Sequence, residues 1–331
     1  MIFKGLLLIL TFFFLKGSAQ ELPIVERIQA LEEKRGYYSK KERVFHGLIG
    51  GELLYWKADL DGVAYATTLG RDIKTRTPHF SYDPGFRILV GVQSPYDLFD
   101  AVLVWTRFYT EGHDRGQGSD IGLIKPFTAV PTQTSAECRL KGNLLDLQLG
   151  RGMELSRDFF FRPYFGVRAV WSDVDWKIFS EASNQQSSEL KVDNSFRAVG
   201  GLFGVFVDWK LPKGFGIATR AAGALVYGRT KEATHQEFID AQIEQRFRAH
   251  NSFHSIKGLW ELFGGVYWQS AIAKPKKYRA KRPHFLLRII AGYELQQWPL
   301  IAQKTNVQPL RQRDQFTLGF QGFTGGIWLV F

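Results

Sequence analysis

The stretch Thr324-Gly325-Gly326-Ile327-Trp328-Leu329-Val330-Phe331 decides how this chain is read. Ile327, Leu329 and Phe331 are spaced by two, so on an extended strand they share one face. A small polar residue and glycine precede the run. Working back along the chain, the same period recurs. Phe285, Leu287, Ile289, Ala291, Tyr293 and Leu295 alternate with Leu286, Arg288, Ile290, Gly292, Glu294 and Gln296. Val199, Phe203, Val205, Val207 and Trp209 share a face opposite Gly200, Gly204 and Asp208. Phe161, Phe165, Val167, Ala169 and Trp171 alternate with Arg162, Tyr164, Gly166 and Arg168, and Phe86, Ile88, Val90 and Val92 lie opposite Arg87.

These runs are longer than the five or six residues of a usual globular strand. They suit tilted strands that cross a membrane in about 9–11 residues. The pattern predicts ten strands, near 46–57, 84–93, 97–110, 142–153, 159–178, 194–210, 214–229, 253–270, 283–298 and 315–331. Connections then alternate between long (58–83, 111–141, 179–193, 230–252, 299–314) and shorter (94–96, 154–158, 211–213, 271–282). Outer-membrane barrels show this asymmetry, with short turns in the periplasm and long loops outside. Twelve strands is the alternative count, because Gly62 to Thr68 and the 230–252 loop each have room for another. Trp171, Trp209, Tyr227 and Trp268 fall near strand ends, as aromatic girdles do.

The amino terminus reads as an export signal. Lys4 is followed by an apolar run from Gly5 to Leu15, then by Lys16, Gly17, Ser18 and Ala19. The run is about half the ~20 residues a membrane-spanning helix needs, so it predicts a cleaved signal peptide over residues 1–19. Residues 20–45 are highly charged. Ile24, Val25, Ile28 and Leu31 recur at helical spacing there, predicting a short periplasmic helix before a barrel over 46–331.

Composition agrees. Mean hydropathy is slightly negative, yet there are 28 Phe, 12 Tyr and 9 Trp. A β-barrel reconciles the two, showing every second residue to lipid and the rest to its lumen. One cysteine, Cys138, gives no internal disulfide framework; it reads as an inert loop thiol, with an intermolecular disulfide in an oxidising compartment as the alternative. The net charge of +11 points to anionic lipid headgroups or anionic solutes rather than to nucleic acid, which an exported chain does not routinely meet.

The terminal strand with its aromatic last residue resembles the insertion signal by which the barrel-assembly machinery receives outer-membrane barrels, with Gly326, Ile327, Leu329 and Phe331 as its residues. A second resemblance rests on Gly51-Glu-Leu-Leu-Tyr-Trp-Lys-Ala58, Asp61-Gly-Val-Ala-Tyr-Ala66, Pro84-Gly-Phe-Arg87, Trp105-Thr-Arg-Phe-Tyr-Thr110 and Arg162-Pro-Tyr-Phe-Gly-Val-Arg-Ala169. Together, in this order, they resemble the Legionella-type family of pore-forming major outer membrane proteins, with relatives in environmental chlamydiae. The resemblance covers residues 47–331. It implies an all-β, transmembrane, antiparallel up-and-down barrel of a Gram-negative outer membrane, with porin activity, no catalytic motif and no cofactor.

Alternation assigns Arg87, Asp100, Asp146, Gln148, Arg162, Arg168, Arg220, Glu261, Arg288, Glu294 and Gln296 to the lumen, since a charge on the lipid face costs about 2–4 kcal/mol at the bilayer midplane. One reading is a channel that passes anions along Arg162, Arg168, Arg220 and Arg288, with a slight surplus of inward arginines giving weak anion preference. The other is that these arginines pair with the inward carboxylates and close a lumen that is narrow at ten strands. Two functions follow. One is a pore for small hydrophilic solutes; the alternative is a structural or adhesive barrel displaying outer loops. The expected partners are outer-membrane lipids, the assembly machinery, small hydrophilic solutes and, as one arrangement, further copies of the chain.

The basic run 274–282 reads as a solvated turn, with binding to an anionic headgroup or cell-wall polymer as the alternative. His79, His113, His235, His250 and His254 fall in or beside outer loops. No His-x-x-x-His pair, Gly-x-Ser-x-Gly elbow or zinc spacing accompanies them, so neither a catalytic nor a metal site is expected.

Overall fold

The computed structural model describes residues 46–61, 65–68, 74–94, 99–117, 120–122, 131–182, 186–240, 243–273, 285–305 and 313–331. The expected signal peptide, the helix expected in 20–45 and the basic run 274–282 lie outside the described residues. Ten strands run up and down: β1 (His46–Asp61), β2 (Tyr82–Gln93), β3 (Phe99–Gln117), β4 (Pro131–Arg151), β5 (Phe159–Ala182), β6 (Ser187–Lys210), β7 (Phe215–Asp240), β8 (Ile243–Ala273), β9 (Phe285–Thr305) and β10 (Arg313–Val330). Each pairs antiparallel with the next, and β10 pairs back onto β1, so the sheet closes. Two-residue strands at His79–Phe80 and Met153–Glu154 extend the same sheet to twelve. Part of the Gly62–Thr68 segment is strand, but Ala66–Thr68 pairs with Lys74–Arg76 and Asp120–Gly122 in a separate small sheet, outside the barrel.

The closing seam is tight. Leu48 to Asp61 pair residue by residue with Val330 to Thr317, and Gly47 and Phe331 exchange backbone hydrogen bonds of 2.7 and 3.0 Å. The seam needs glycine at position 50, where a Cβ would lie 2.7 Å from the Trp328 ring. A second constrained glycine is Gly214, at φ +83 in the turn Pro212–Gly214 joining β6 to β7.

Alternation holds around the whole barrel, but its sense reverses partway along the strands. On β5 the outward residues run Phe165, Val167, Ala169, Trp171 and then Asp173, Asp175, Lys177. The inward ones run Arg162, Tyr164, Arg168 and then Val170, Val174, Trp176, Ile178. On β7 the outward residues change from Leu225 and Tyr227 to Arg229 and Lys231; on β8, reading the opposite way, His254 gives way to Ile256 and Trp260. One half of the barrel thus carries an apolar exterior over a polar interior. Its outer belt includes Leu53, Phe165, Phe203, Leu225, Ile256 and Phe323, each more than 60% exposed. The other half has a charged exterior around an apolar core of Leu140, Val174, Trp176, Ile178, Val192, Phe196, Val226 and Phe316. Every second residue must meet the solvent outside the wall; where that solvent is lipid the outward set is apolar, and where it is water the outward set is polar.

This reversal explains where the sequence-derived loops differ from the structure. Most of 111–141, 179–193 and 230–252 is strand: β3 runs to Gln117, β4 starts at Pro131, and β7 and β8 pair continuously out to Asp240 and Ile243. β8 alone has 31 residues, about 100 Å of extended chain, far beyond a bilayer. Cys138 is consequently no loop thiol. It points inward on β4 and is fully buried in the apolar core.

The charged layer inside the barrel as candidate functional site

Register builds the site. Glu52 on β1 lies directly opposite Arg87 on β2, and Asp146 on β4 directly opposite Arg168 on β5. Glu294 comes from β9, Arg220 from β7 and Glu261 from β8, all at inward positions of the same belt.

Their side chains join into one chain of alternating sign. Arg87 donates to Glu52 (Nη1 to Oε2, 2.7 Å) and to Glu294 (Nη2 to Oε1, 2.8 Å; Nη1 to Oε2, 3.0 Å). Arg220 donates to Glu294 at 3.1 Å and lies 3.8 Å from Glu261. Arg168 donates to Glu261 at 3.0 Å and holds Asp146 through two bonds of 2.7 and 2.6 Å. The order is Glu52, Arg87, Glu294, Arg220, Glu261, Arg168, Asp146. The Arg87–Glu294 and Arg168–Glu261 links join strands that are not sheet neighbours, so the chain crosses the lumen.

Neutral side chains complete the shell. Thr106 accepts from Arg87 Nε at 3.0 Å; Thr324 and Gln296 donate to Glu294; Trp56 donates to Thr324; Trp328 donates to Glu52. Desolvating so many charges is costly, and mutual pairing with further hydrogen bonds offsets the cost.

Nearer the short turns sit two smaller groups. Arg162 pairs with Asp100 (Nε to Oδ2, 2.7 Å) and reaches Gln148 at 3.3 Å. Arg288 pairs with Asp208 at 2.8 Å, donates to Gln269 at 2.8 Å and lies 4.1 Å from the Tyr267 ring centroid; Tyr267 also donates to Asp208. On the opposite side of the charged layer, Trp56, Phe108, Trp298 and Phe320 form an aromatic cluster with centroids 5.1–6.0 Å apart.

All nine charged residues assigned to the lumen by alternation point inward, and each is paired. Two were missed. Glu52 and Asp208 join them, although Asp208 already stood on the inward face by its spacing. The five arginines therefore meet six carboxylates, and the expected surplus of arginine disappears. The basis for anion preference goes with it. Ile327, Leu329 and Phe331 do share the outward face, and they lie in the seam: Ile327 opposite Gly51 and Ile289, Leu329 opposite Ile49 and Leu287. Gly326 lies opposite Glu52.

Among the described residues, one further group has metal-ligating chemistry. Glu111, His113 and Glu137, on the water-facing outer wall, hold ligand atoms within 4.8 Å of one another. Arg139 pairs with both carboxylates, at 2.9 and 2.5 Å, and its hydrogen bond holds the Glu111 carboxyl below its ordinary range. The spacing concealed this group because Glu137 arrives from the neighbouring strand.

The ends of β2, β4, β6 and β8 lie at the same end of the sheet as Gly47 and Phe331, the periplasmic end in barrels of this kind. Among solved structures the chain is similar to outer membrane protease OmpT from Escherichia coli, at 10% identity and a TM-score of 0.39, covering 88% of this chain and 99% of that one. It is also similar to a TodX deltaS2S3 mutant monoaromatic hydrocarbon channel (7%, 0.29, 89% and 91%) and to a Pseudomonas aeruginosa FadL homologue (7%, 0.25, 89% and 91%). Likenesses of this size carry no argument about activity. No curated protein matches the chain. The family described as Legionella pneumophila major outer membrane protein precursor matches residues 41–331. That match runs through every strand of the barrel, so the chain belongs to this family and is a protein of the bacterial outer membrane.

Proposed function

We propose that this protein is a non-enzymatic surface barrel, shut to hydrophilic solutes in its resting state, whose long strands carry a rim well beyond the membrane. The observation that carries this reading is the filled interior. The charged chain from Glu52 to Asp146 spans the lumen, and the Trp56–Phe108–Trp298–Phe320 cluster and the apolar core lie beyond it. A hydrated ion has to break buried ion pairs and then leave water behind, and each step is costly. Every acid and base of the charged layer is paired with another, which leaves none of them poised for proton transfer. A second reading, a narrow gated pore for small hydrophilic solutes, is favoured by one feature. Glu294 accepts from both Arg87 and Arg220, and Arg168 serves both Asp146 and Glu261, so partners can be exchanged without leaving a charge bare. Purified protein in a planar bilayer decides. The closed reading expects a flat current record in symmetric salt; stable open steps would overturn it in favour of the gated pore.

A further inference from the structure

On the outer wall, three rows of side chains cross strands β5 to β8 in register. Ala169, Val199, Tyr227 and Ile256 form the last apolar row. The next row is Trp171, Arg197, Arg229 and His254, and the one beyond is Asp173, Ser195, Lys231 and Ser252, with Lys141 of β4 opposite Asp173. Arg197 and Arg229 are therefore directly opposed across adjacent strands, an arrangement that costs stability unless an anion lies between them. Arg197 is offset by Asp173 at 3.0 Å. Arg229 gives its Nε to Ser252 Oγ at 2.7 Å, and among the described residues it has no ion pair. A groove of about 580 Å³ opens beside Arg229; Lys141, Lys231 and His250 line it, and so do Asp173, Asp175, Asp193 and Glu232. The carboxylates Asp175 and Asp193 lie one row further from the belt, where Arg139 stands opposite Asp175 and Lys191 lies 3.7 Å from Asp193. The row nearest the lipid is thus cationic, immediately above exposed Val199, Tyr227 and Ile256, and the His254 ring stacks on Tyr227 at 5.7 Å.

We propose that Arg197, Arg229 and Lys231 bind the phosphate of a phosphorylated lipid of the surrounding leaflet, whose acyl chains lie along Val199, Tyr227 and Ile256. The charge fits a phosphate, since paired guanidinium groups present the donors that phosphate oxygens accept. The position fits a lipid rather than a free solute, because a phosphate held here sits at headgroup height over an apolar belt. The site lies on the outer wall and is independent of whether the lumen conducts.

The test is native mass spectrometry of the folded full barrel titrated with diphosphorylated lipid A. Wild type should retain the lipid at about a tenfold lower concentration than the R197S/R229S/K231S variant. R246S, which removes an exposed cation elsewhere on β8, should bind as wild type does. Dephosphorylated lipid A should bind wild type no better than it binds the triple variant, and rising salt should weaken only the phosphorylated form. Equal retention by wild type and triple variant overturns the proposal. So does full competition by millimolar inorganic phosphate, which identifies a soluble-anion site instead. Should the triple variant lose its heat-modifiable, folded mobility, R229Q against R229K replaces it: Lys should keep most of the binding and Gln should lose it, and equal binding by the two refutes the assignment.

Discussion

Arg168 and Asp146 face each other directly across β5 and β4, joined by two parallel hydrogen bonds of 2.7 and 2.6 Å, and both are almost fully buried. This pair anchors one end of the charged chain. Removing Asp146 alone leaves Arg168 with Glu261 as its remaining partner. Asp146→Ala should therefore cost about 3–5 kcal/mol. Replacing both members, as in D146L/R168L, should cost more than the single change, because Arg168 also holds Glu261, which would keep only Arg220 at 3.8 Å. Urea unfolding midpoints of the three barrels give the comparison; a double variant as stable as D146A would mean that Arg220 alone satisfies Glu261.

Trp56 is 2% exposed and touches both Phe108 and Phe320, while its indole nitrogen donates to Thr324. Truncating it removes a large buried ring next to the charged layer. Trp56→Ala should lower stability by about 3–5 kcal/mol. W56A/F320A, where it still folds, should remain silent, because the charged layer still spans the lumen. Planar-bilayer recordings check this, and open steps in the double variant would place the barrier in the aromatic cluster instead.

Burial raises the Cys138 thiol to about 12, with the nearby Asp175 carboxylate adding to the shift. The sign follows directly. Between about 9 and about 12 the unfolded chain ionises this thiol while the folded barrel keeps it neutral, so the contribution is whole below about 9 and is lost as pH rises towards 12. Denaturant midpoints of wild type should fall across that window more steeply than those of C138A. The native thiol should also resist maleimide at pH 7.5 until the barrel is unfolded; rapid labelling of folded protein would show that the core is open to water.

Phe331 pairs through its backbone with Gly47 on one side, and its ring packs on Phe285 at 6.3 Å on the other. Deleting it removes the last rung joining β10 to β1. The yield of heat-modifiable barrel in membranes should drop several-fold, with milder loss for Phe331→Tyr, which keeps the rung and an aromatic ring. A deletion that assembles as well as wild type would sink the seam argument.

The lipid-facing half of the fold was plainly legible. Residues such as Phe161 to Trp171, or Phe285 to Leu295, leave no other reading once every second position is apolar. The water-facing half was obscure for a physical reason. There the outward set is polar and the inward set is mixed: Thr230, Glu232, Thr234 and Gln236 line the inner face of β7, so the segment imitates a hydrophilic loop. The lumen residues were found for the same reason the belt was. Their connections were not, because the Arg168–Glu261 bond joins residues 93 positions apart on strands that are not neighbours, and period alone cannot say which inward groups meet. The same limit hid Glu137 beside His113, and it hid the opposition of Arg197 to Arg229, which only the β6–β7 register reveals.

The reversal of polarity along each strand constrains movement as well as shape. A uniformly patterned barrel can ride higher or lower in its bilayer at small cost until its ends are reached. This one cannot. A shift of one residue pair upward draws Tyr227 and Ile256 out of lipid, and the same shift downward drags Arg197, Arg229 and Asp173 in. The penalty is charged around the circumference at once and in both directions. The protein therefore carries its own waterline, set by sequence at one level on every strand, and the height at which its rim stands above the cell surface is fixed by the chain rather than by the thickness of its surroundings.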